Sequence, residues 1–154
     1  MIKRYITNFN IDNIRKEYCD VIVVGTGIAG LYTSLNIDSK YKVIVLSKDK
    51  ITENNSNLAQ GGIAACLSLE DDIESHFKDT VKAGSFYNDE KAVLTLVEEA
   101  SKNIKKLVNI GTNFDRDEEG NLKVTREGGH SKRRVLHSKD ETGKEIIRSL
   151  SQAV

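Results

Sequence analysis

An α/β fold with helices packed on a parallel sheet is predicted by three features of this sequence. Val21-Ile22-Val23-Val24 is an unbroken β-branched run, the pattern of a strand covered by helices on both faces. It breaks at Gly25-x-Gly27-x-x-Gly30, beyond which Ile28, Leu31, Tyr32, Leu35 and Ile37 continue at helical spacing. A second apolar run, Val43-Ile44-Val45-Leu46, arrives after that single helix. Residues 20–47 therefore read as two parallel strands joined by a right-handed helical crossover.

A strand that passes through spaced glycines into a helix N-terminus is the context in which backbone N–H groups hold a dinucleotide pyrophosphate. Gly25 allows the turn, Gly27 lets the backbone approach phosphate, and Gly30 lets the helix lie against the strand. The expected architecture is Rossmann-like. Only two long parallel strands are evident, so the doubly wound sheet is incomplete and carries additional helices.

Composition narrows the function classes. The 154 residues are enough for one domain with a real core. Lys+Arg and Asp+Glu number 23 each, so no bulk charge draws the chain to nucleic acid or to an acidic membrane. Cys19 and Cys66 make neither a disulfide framework nor a metal pair, so a reducing cytoplasm and no metal site are expected. No segment reaches the ~20 apolar residues that span a bilayer, and the N-terminus lacks the apolar run of a secretory signal. Residues 1–18 read as a polar lead-in with Ile2, Ile6, Phe9, Ile11 and Ile14 scattered through it, and residues 19–154 as the domain.

The remaining elements follow in order. Ser47 to Asn57 is a polar surface excursion, and it ends in Leu58-Ala59-Gln60-Gly61-Gly62-Ile63-Ala64-Ala65, whose small residues let backbone lie close to a flat or bulky group. Ile73, Phe77 and Val81 mark a helix over Leu69 to Ala83 with Gly84 as its cap, and His76 beside that stripe is taken as structural. Cys66 is expected to pack rather than react. A longer helix runs from Asp89 to Ile110 with Val93, Leu96, Val97, Ala100, Ile104, Leu107 and Val108 inward and Gly111 closing it. Phe114, Glu119-Gly120, Leu122 and Val124 suggest a hairpin. Thr125 to His137, TREGGHSKRRVLH, reads as too charged for core. Thr142 with Glu145 three residues on is the pattern of a capping box opening a last helix, which has no stop signal before Val154. That helix and the incomplete sheet suggest part of a larger protein.

A dinucleotide site of the ordinary NAD type places an acid at the end of the second strand to hold the ribose hydroxyls. Here that strand ends in Leu46-Ser47-Lys48, so Ser47 is left to bond a sugar and Lys48 to neutralise phosphate, with Asp49 a fallback.

CDVIVVGTGIAGL, VIVLSK, ITENNSNLAQGGIAA and TREGGHSKRRVLH together resemble the L-aspartate oxidases, flavoenzymes of NAD biosynthesis in the succinate dehydrogenase and fumarate reductase flavoprotein superfamily. The resemblance is in register over Cys19 to Ser149. It implies FAD as cofactor, with Gly25, Thr26, Gly27, Ile28, Ala29 and Gly30 at the pyrophosphate and Ser47 and Lys48 beyond the second strand. It further implies that Asn55, Ser56, Asn57, Leu58, Ala59, Gln60, Gly61 and Gly62 wrap the flavin. Respiratory members carry a histidine covalently tied to flavin four residues before the Ala-Gln-Gly-Gly; Asn55 occupies that place and cannot form the bond, so FAD is expected to be noncovalent.

In TREGGHSKRRVLH the cations Arg126, His130, Arg133, Arg134 and His137 surround the lone acid Glu127. Cations suit a dicarboxylate and one acid suits an ammonium. The resemblance assigns Glu127 to orienting the substrate amino group. It implies oxidation of L-aspartate to iminoaspartate with hydride passed to flavin and electrons to oxygen or fumarate, and quinolinate synthase as user of the product. The family's catalytic arginine lies beyond Val154, so these residues alone are expected to lack oxidase activity. A fumarate reductase or succinate dehydrogenase-type subunit, or an inactive FAD-binding fragment, are the alternatives. Nucleic acid is a poorer reading, because no aromatic residues interleave with the arginines.

Overall fold

The structure is a computed structural model, and it describes residues 14–154. Most of the expected lead-in, including Ile2, Ile6, Phe9 and Ile11, lies outside the described residues. The parallel pair forms as the sequence predicts. Strand β1 (Val21–Val24) pairs with β2 (Val43–Leu46) in parallel, Val21 opposite Val43 through Val24 opposite Leu46. Helix α1 (Ile28–Leu35) joins them.

The expectation that both faces of β1 are covered is corrected. Only α1 packs on this sheet among the described residues, and on the other face Ile22, Val24 and Leu46 are 58%, 82% and 47% exposed. An unbroken apolar run records the hydrophobicity of both faces, and within the described residues only one of them is covered.

A second sheet was not legible in the pattern. Strands β3 (Ile63–Ala64), β4 (Val124–Thr125) and β5 (Val135–Leu136) assemble antiparallel in the order β3-β5-β4. Each has two residues, too few to show a period of two. Its centre is β5, with Val135 and Leu136 buried, so the end of TREGGHSKRRVLH is core. The expected hairpin reduces to one bridge, Arg116 opposite Leu122, around the turn closed by Gly120 N–H to the Asp117 carbonyl; Val124 pairs with β5 instead.

Helix α2 (Ile73–Ala83) starts four residues later than predicted because the Asp72 side chain caps it, accepting from the Ser75 N–H at 2.7 Å. Helix α3 (Glu90–Ile110) is capped by Asp89 and ends at Gly111 in the left-handed conformation. Leu96 is 61% exposed, whereas Val93, Val97, Ile104 and Leu107 are buried. Three and four residue steps from Val93 reach Val97, Ala100, Ile104 and Leu107; Leu96 stands at the stripe's edge.

Helix α4 (Thr142–Ala153) begins without the expected capping box. The Thr142 hydroxyl accepts from the Ser138 N–H at 3.1 Å, and Glu145 accepts from the Asn113 N–H at 2.7 Å while pairing with Arg148. Both side chains that would cap the helix are engaged by other segments.

One core joins α1, α3, α4 and β5 through Leu31, Ile104, Leu107, Leu136, Ile147 and Leu150, and a smaller cluster of Val81, Val93 and Val97 joins α2 to α3. Ile147 is fully buried, so Ile147→Ala is expected to lower the unfolding free energy by about 2–5 kcal/mol in urea titration. Leu96→Ala is expected to change it by no more than about 0.5 kcal/mol.

Candidate functional site

The glycine turn is built by backbone constraints. Gly25 adopts φ +109°, a region closed to most side chains, and its N–H bonds the Leu46 carbonyl at 2.8 Å, locking the turn to the end of β2. A Cβ at Gly30 would run into the Gly25 carbonyl, so the close seat of α1 on the turn requires glycine there. Thr26 Oγ1 and Ser47 Oγ lie 2.9 Å apart and tie the two strand ends together.

A cavity of about 360 Å³ opens at this turn, lined by Gly25, Thr26, Gly27, Ser47, Lys48, Asp49, Glu53 and Asn54. The N-cap of α1 is Gly27, which has no side chain to cap it, and no acid stands in its first turn. A helix N-terminus of this kind with Lys48 exposed nearby suits an anionic group, so these residues fit the pyrophosphate of a dinucleotide. Ala29 is exposed on the first turn, and the Ile28 N–H donates to Ser56 Oγ at 3.2 Å.

Asn54 is a site residue the sequence reading missed. Its side-chain amide donates to the Thr26 and Ile51 carbonyls at 3.2 and 2.7 Å, and its Oδ1 accepts from the Asn57 N–H at 2.9 Å. It folds the polar excursion back onto the glycine turn. Nothing in ITENNSN separates it from the neighbouring asparagines.

Residues 55–62 do not line that cavity. Asn55, Leu58, Ala59, Gln60 and Gly61 are exposed, and the segment runs as a shelf from Ser56, beside Gly27, to Gly62, beside β5. The Ala59 carbonyl accepts from the Gly143 N–H at 2.9 Å, which seats the shelf on the start of α4. At Gly62 a Cβ would crowd Val135 and the Leu136 carbonyl and stand 2.8 Å from His137 Nε2.

Beyond Gly62 lies Glu127, in a second cavity of about 320 Å³ with Lys123, Thr125, His137, Lys139, Asp115 and Asp140. Thr125 Oγ1 donates to Glu127 Oε1 at 3.3 Å, and His137 Nε2 is 3.5 Å from the same oxygen. The predicted ring of cations around Glu127 is corrected. Of the five, only His137 lines this cavity; Arg126 and Arg133 line a separate hollow of about 190 Å³ with Ser131 and Lys132. Lys123 and Lys139 take their place, brought in by Asp115, whose carbonyl accepts from the Lys123 N–H and whose carboxylate accepts from the Lys139 N–H.

Arg134 is not available to a ligand at all. Its side chain is completely buried, with Nε and Nη2 on the two oxygens of Asp71 at 2.8 and 2.6 Å and Nη1 on Asp79 Oδ2 at 2.5 Å. Burial alone would raise the Asp79 carboxyl, but the Ser131 N–H and hydroxyl together with Arg134 hold it down to about 2. Burial works likewise against ionised Asp71, and Arg134 leads the groups that keep its pKa below the ordinary range. His76, buried beside this cluster, is pushed down by desolvation and by Arg134. Burial pushes the Cys66 thiol up to about 12, reinforced by Asp71, so it is protonated and unreactive, in line with a packing role.

The largest hollow, about 1010 Å³, runs along α4 past Phe114 and Arg148 and takes only Asn57 from the predicted residues. Among the described residues no helix is long and apolar enough to cross a membrane.

The family model for the FAD binding domain matches residues 20–154. The chain is 43% identical over 138 residues to a chloroplastic L-aspartate oxidase of Oryza sativa subsp. japonica, covering 90% of the chain and 21% of that protein. It is 44% identical over 135 residues to an L-aspartate oxidase of Clostridium acetobutylicum, covering 88% and 31%. It thus spans about a fifth to a third of these curated relatives. An E. coli quinol fumarate reductase superposes with TM-score 0.83 at 28% identity over 88% of the chain and 24% of that structure. The Mycobacterium smegmatis Sdh1 complex does so with TM-score 0.78 at 32% identity over 88% and 23%.

The Asp79 carboxyl is depressed on folding, so its stabilisation is complete above the ordinary aspartate range of about 3.9 and is lost as pH falls through about 2. Asp79→Asn is therefore expected to be less stable than the parent at pH 7, with the gap closing between about pH 4 and 2. Urea midpoints of both proteins across that range provide the check.

Proposed function

Because the chain belongs to the FAD binding domain family, we propose that it forms the N-terminal, FAD-binding part of an L-aspartate oxidase. Bound FAD supplies the hydride acceptor. The work of these residues is to hold that cofactor and to present a recognition group to the substrate. Gly25 to Gly30 with Ser47, Lys48 and Asn54 would hold the pyrophosphate and ribose, and the shelf of Asn55 to Gly62 would lie along the flavin.

The observation that carries the substrate reading is the cavity at Glu127. Glu127 faces it, held by Thr125 and His137, with Lys123 and Lys139 on its walls beside Asp115 and Asp140. An acid matches the α-ammonium of aspartate, and cations match its carboxylates. A dicarboxylate without an amino group has no use for Glu127. The shelf reaches from the glycine turn to His137 through Gly62, which gives cofactor and substrate one continuous surface. Iminoaspartate would be the product and quinolinate synthase its consumer, in a cytoplasmic enzyme with oxygen or fumarate as electron acceptor.

The polypeptide carrying this chain, as the cell makes it, should show a flavin absorbance band that bleaches under anaerobic aspartate and not under succinate. Absence of bleaching by aspartate removes the substrate assignment. Glu127→Gln loses a charge-assisted hydrogen bond worth about 1.5–3 kcal/mol, so KM for aspartate should rise about 10–100-fold. Acid precipitation should release the flavin into the supernatant, as Asn55 requires; flavin retained in the pellet would favour the covalent, fumarate reductase-type alternative.

A further inference from the structure

We propose that Asp79, on α2, is a positioning residue that fixes the loop carrying Glu127 and so tunes recognition of the substrate ammonium. The inference rests on the reading of Glu127 given above. Glu127 sits between β4 and Arg134 on a loop that includes Gly128 and Gly129, the latter at φ +85°. Left to itself such a segment spreads its carboxylate over many orientations, and recognition then bears the cost of ordering it.

The loop's own bonds, His130 N–H to the Glu127 carbonyl at 3.2 Å and Arg126 Nε to the His130 carbonyl at 3.1 Å, fold it but do not attach it to the body. Attachment comes from α2. Asp79 Oδ2 accepts from the Ser131 N–H at 2.7 Å, from the Ser131 hydroxyl at 2.7 Å and from Arg134 Nη1 at 2.5 Å. One oxygen thus grips both the loop and the residue at which it enters β5. Asp71 also holds Arg134, but no hydrogen bond joins it to the loop among the described residues.

The base of this grip is rigid. Helix α2 is capped by Asp72 and packs on α3 through Ile73, Phe77 and Val81. Asp79 lines neither the cavity at the glycine turn nor the one at Glu127. Any effect of Asp79 on substrate is therefore indirect, through the loop or through Arg134 and β5, which separates positioning from contact.

The test uses Asp79→Ala, Asp79→Asn and Ser131→Ala in the polypeptide as the cell makes it, beside Glu127→Gln. In Asp79→Ala we expect KM for aspartate to rise about tenfold with kcat changed less than about threefold, since what is lost is the ordering of a recognition group. FAD affinity and KM for fumarate, which has no ammonium, should stay at the parent values. Asp79→Asn keeps an acceptor for the Ser131 N–H and should recover part of the loss. Trypsin cleavage at Arg126, Lys132 and Arg133 should accelerate in Asp79→Ala and Ser131→Ala, a readout independent of activity. Should Asp79→Ala not fold, Asp79→Asn and Ser131→Ala carry the test, each with a smaller rise in aspartate KM.

An unchanged aspartate KM in the Asp79 and Ser131 variants, with Glu127→Gln impaired, overturns the proposal alone. Parallel loss of FAD affinity, fumarate KM and aspartate KM overturns it in favour of a general structural role. An unimpaired Glu127→Gln overturns the reading of Glu127 and the proposal with it.

Discussion

A guanidinium with no access to water has to recover its hydration energy from the protein, and the arrangement of the second half of this chain follows from how Arg134 does so. Moving one such ion out of water costs several kcal/mol even after relaxation. Asp71 meets it with two parallel hydrogen bonds and Asp79 with a third. Two carboxylates leave one excess negative charge; Ser131 donates its N–H and hydroxyl to Asp79, the Ser75 hydroxyl accepts from Arg134 Nη2, and Asp71 stands just before the N-terminus of α2. Since Arg134 leads directly into β5, the pairing welds the small antiparallel sheet to α2 and, through the Val81, Val93 and Val97 cluster, to α3. Loss of either carboxylate would leave Arg134 paired with the other but with N–H donors facing a dry site unsatisfied.

Around that weld lie the two regions proposed to hold a cofactor and to recognise a substrate. The glycine turn is rigid because each tie is backbone or short side chain: Gly25 to Leu46, Thr26 to Ser47, Asn54 to Thr26. The region of Glu127 is made from longer side chains on a loop, and its order is borrowed from neighbours. Between them the shelf of residues 55–62 passes from Ser56 to Gly62 and makes closest approach to His137. A carboxylate and a glycine-lined surface thereby come within one side chain of each other although they are 65 positions apart in sequence.

The parts of this fold that could be read directly were those decided within one or two turns of chain. The β1–α1–β2 unit and the closure of α3 by Gly111 depend on neighbouring residues, and both stand where the pattern placed them. Local rules failed where a distant group competed for the same atoms. Thr142 and Glu145 have the spacing of a capping box, yet Ser138 and Asn113 claim their oxygens. Five cations near one acid look like a single cluster, but Arg126 and Arg133 line one hollow, His137 lines another and Arg134 is buried.

By itself the sequence determined that a parallel strand–helix–strand unit carries a glycine turn at the start of its helix, because hydrophobic runs and glycine spacing encode backbone geometry locally. It also carried the two motifs, AQGGIAA and TREGGHSKRRVLH, that mark a flavin and an amino-acid dicarboxylate as the chemistry to expect. Only the tertiary structure decided which charges remain free to meet a ligand. Arg134 finds its partners 63 and 55 residues away, and Lys123 and Lys139 converge on Glu127 through Asp115. A charge is worth little as recognition until its surroundings have either neutralised it or left it exposed, and that depends on contacts no linear spacing records.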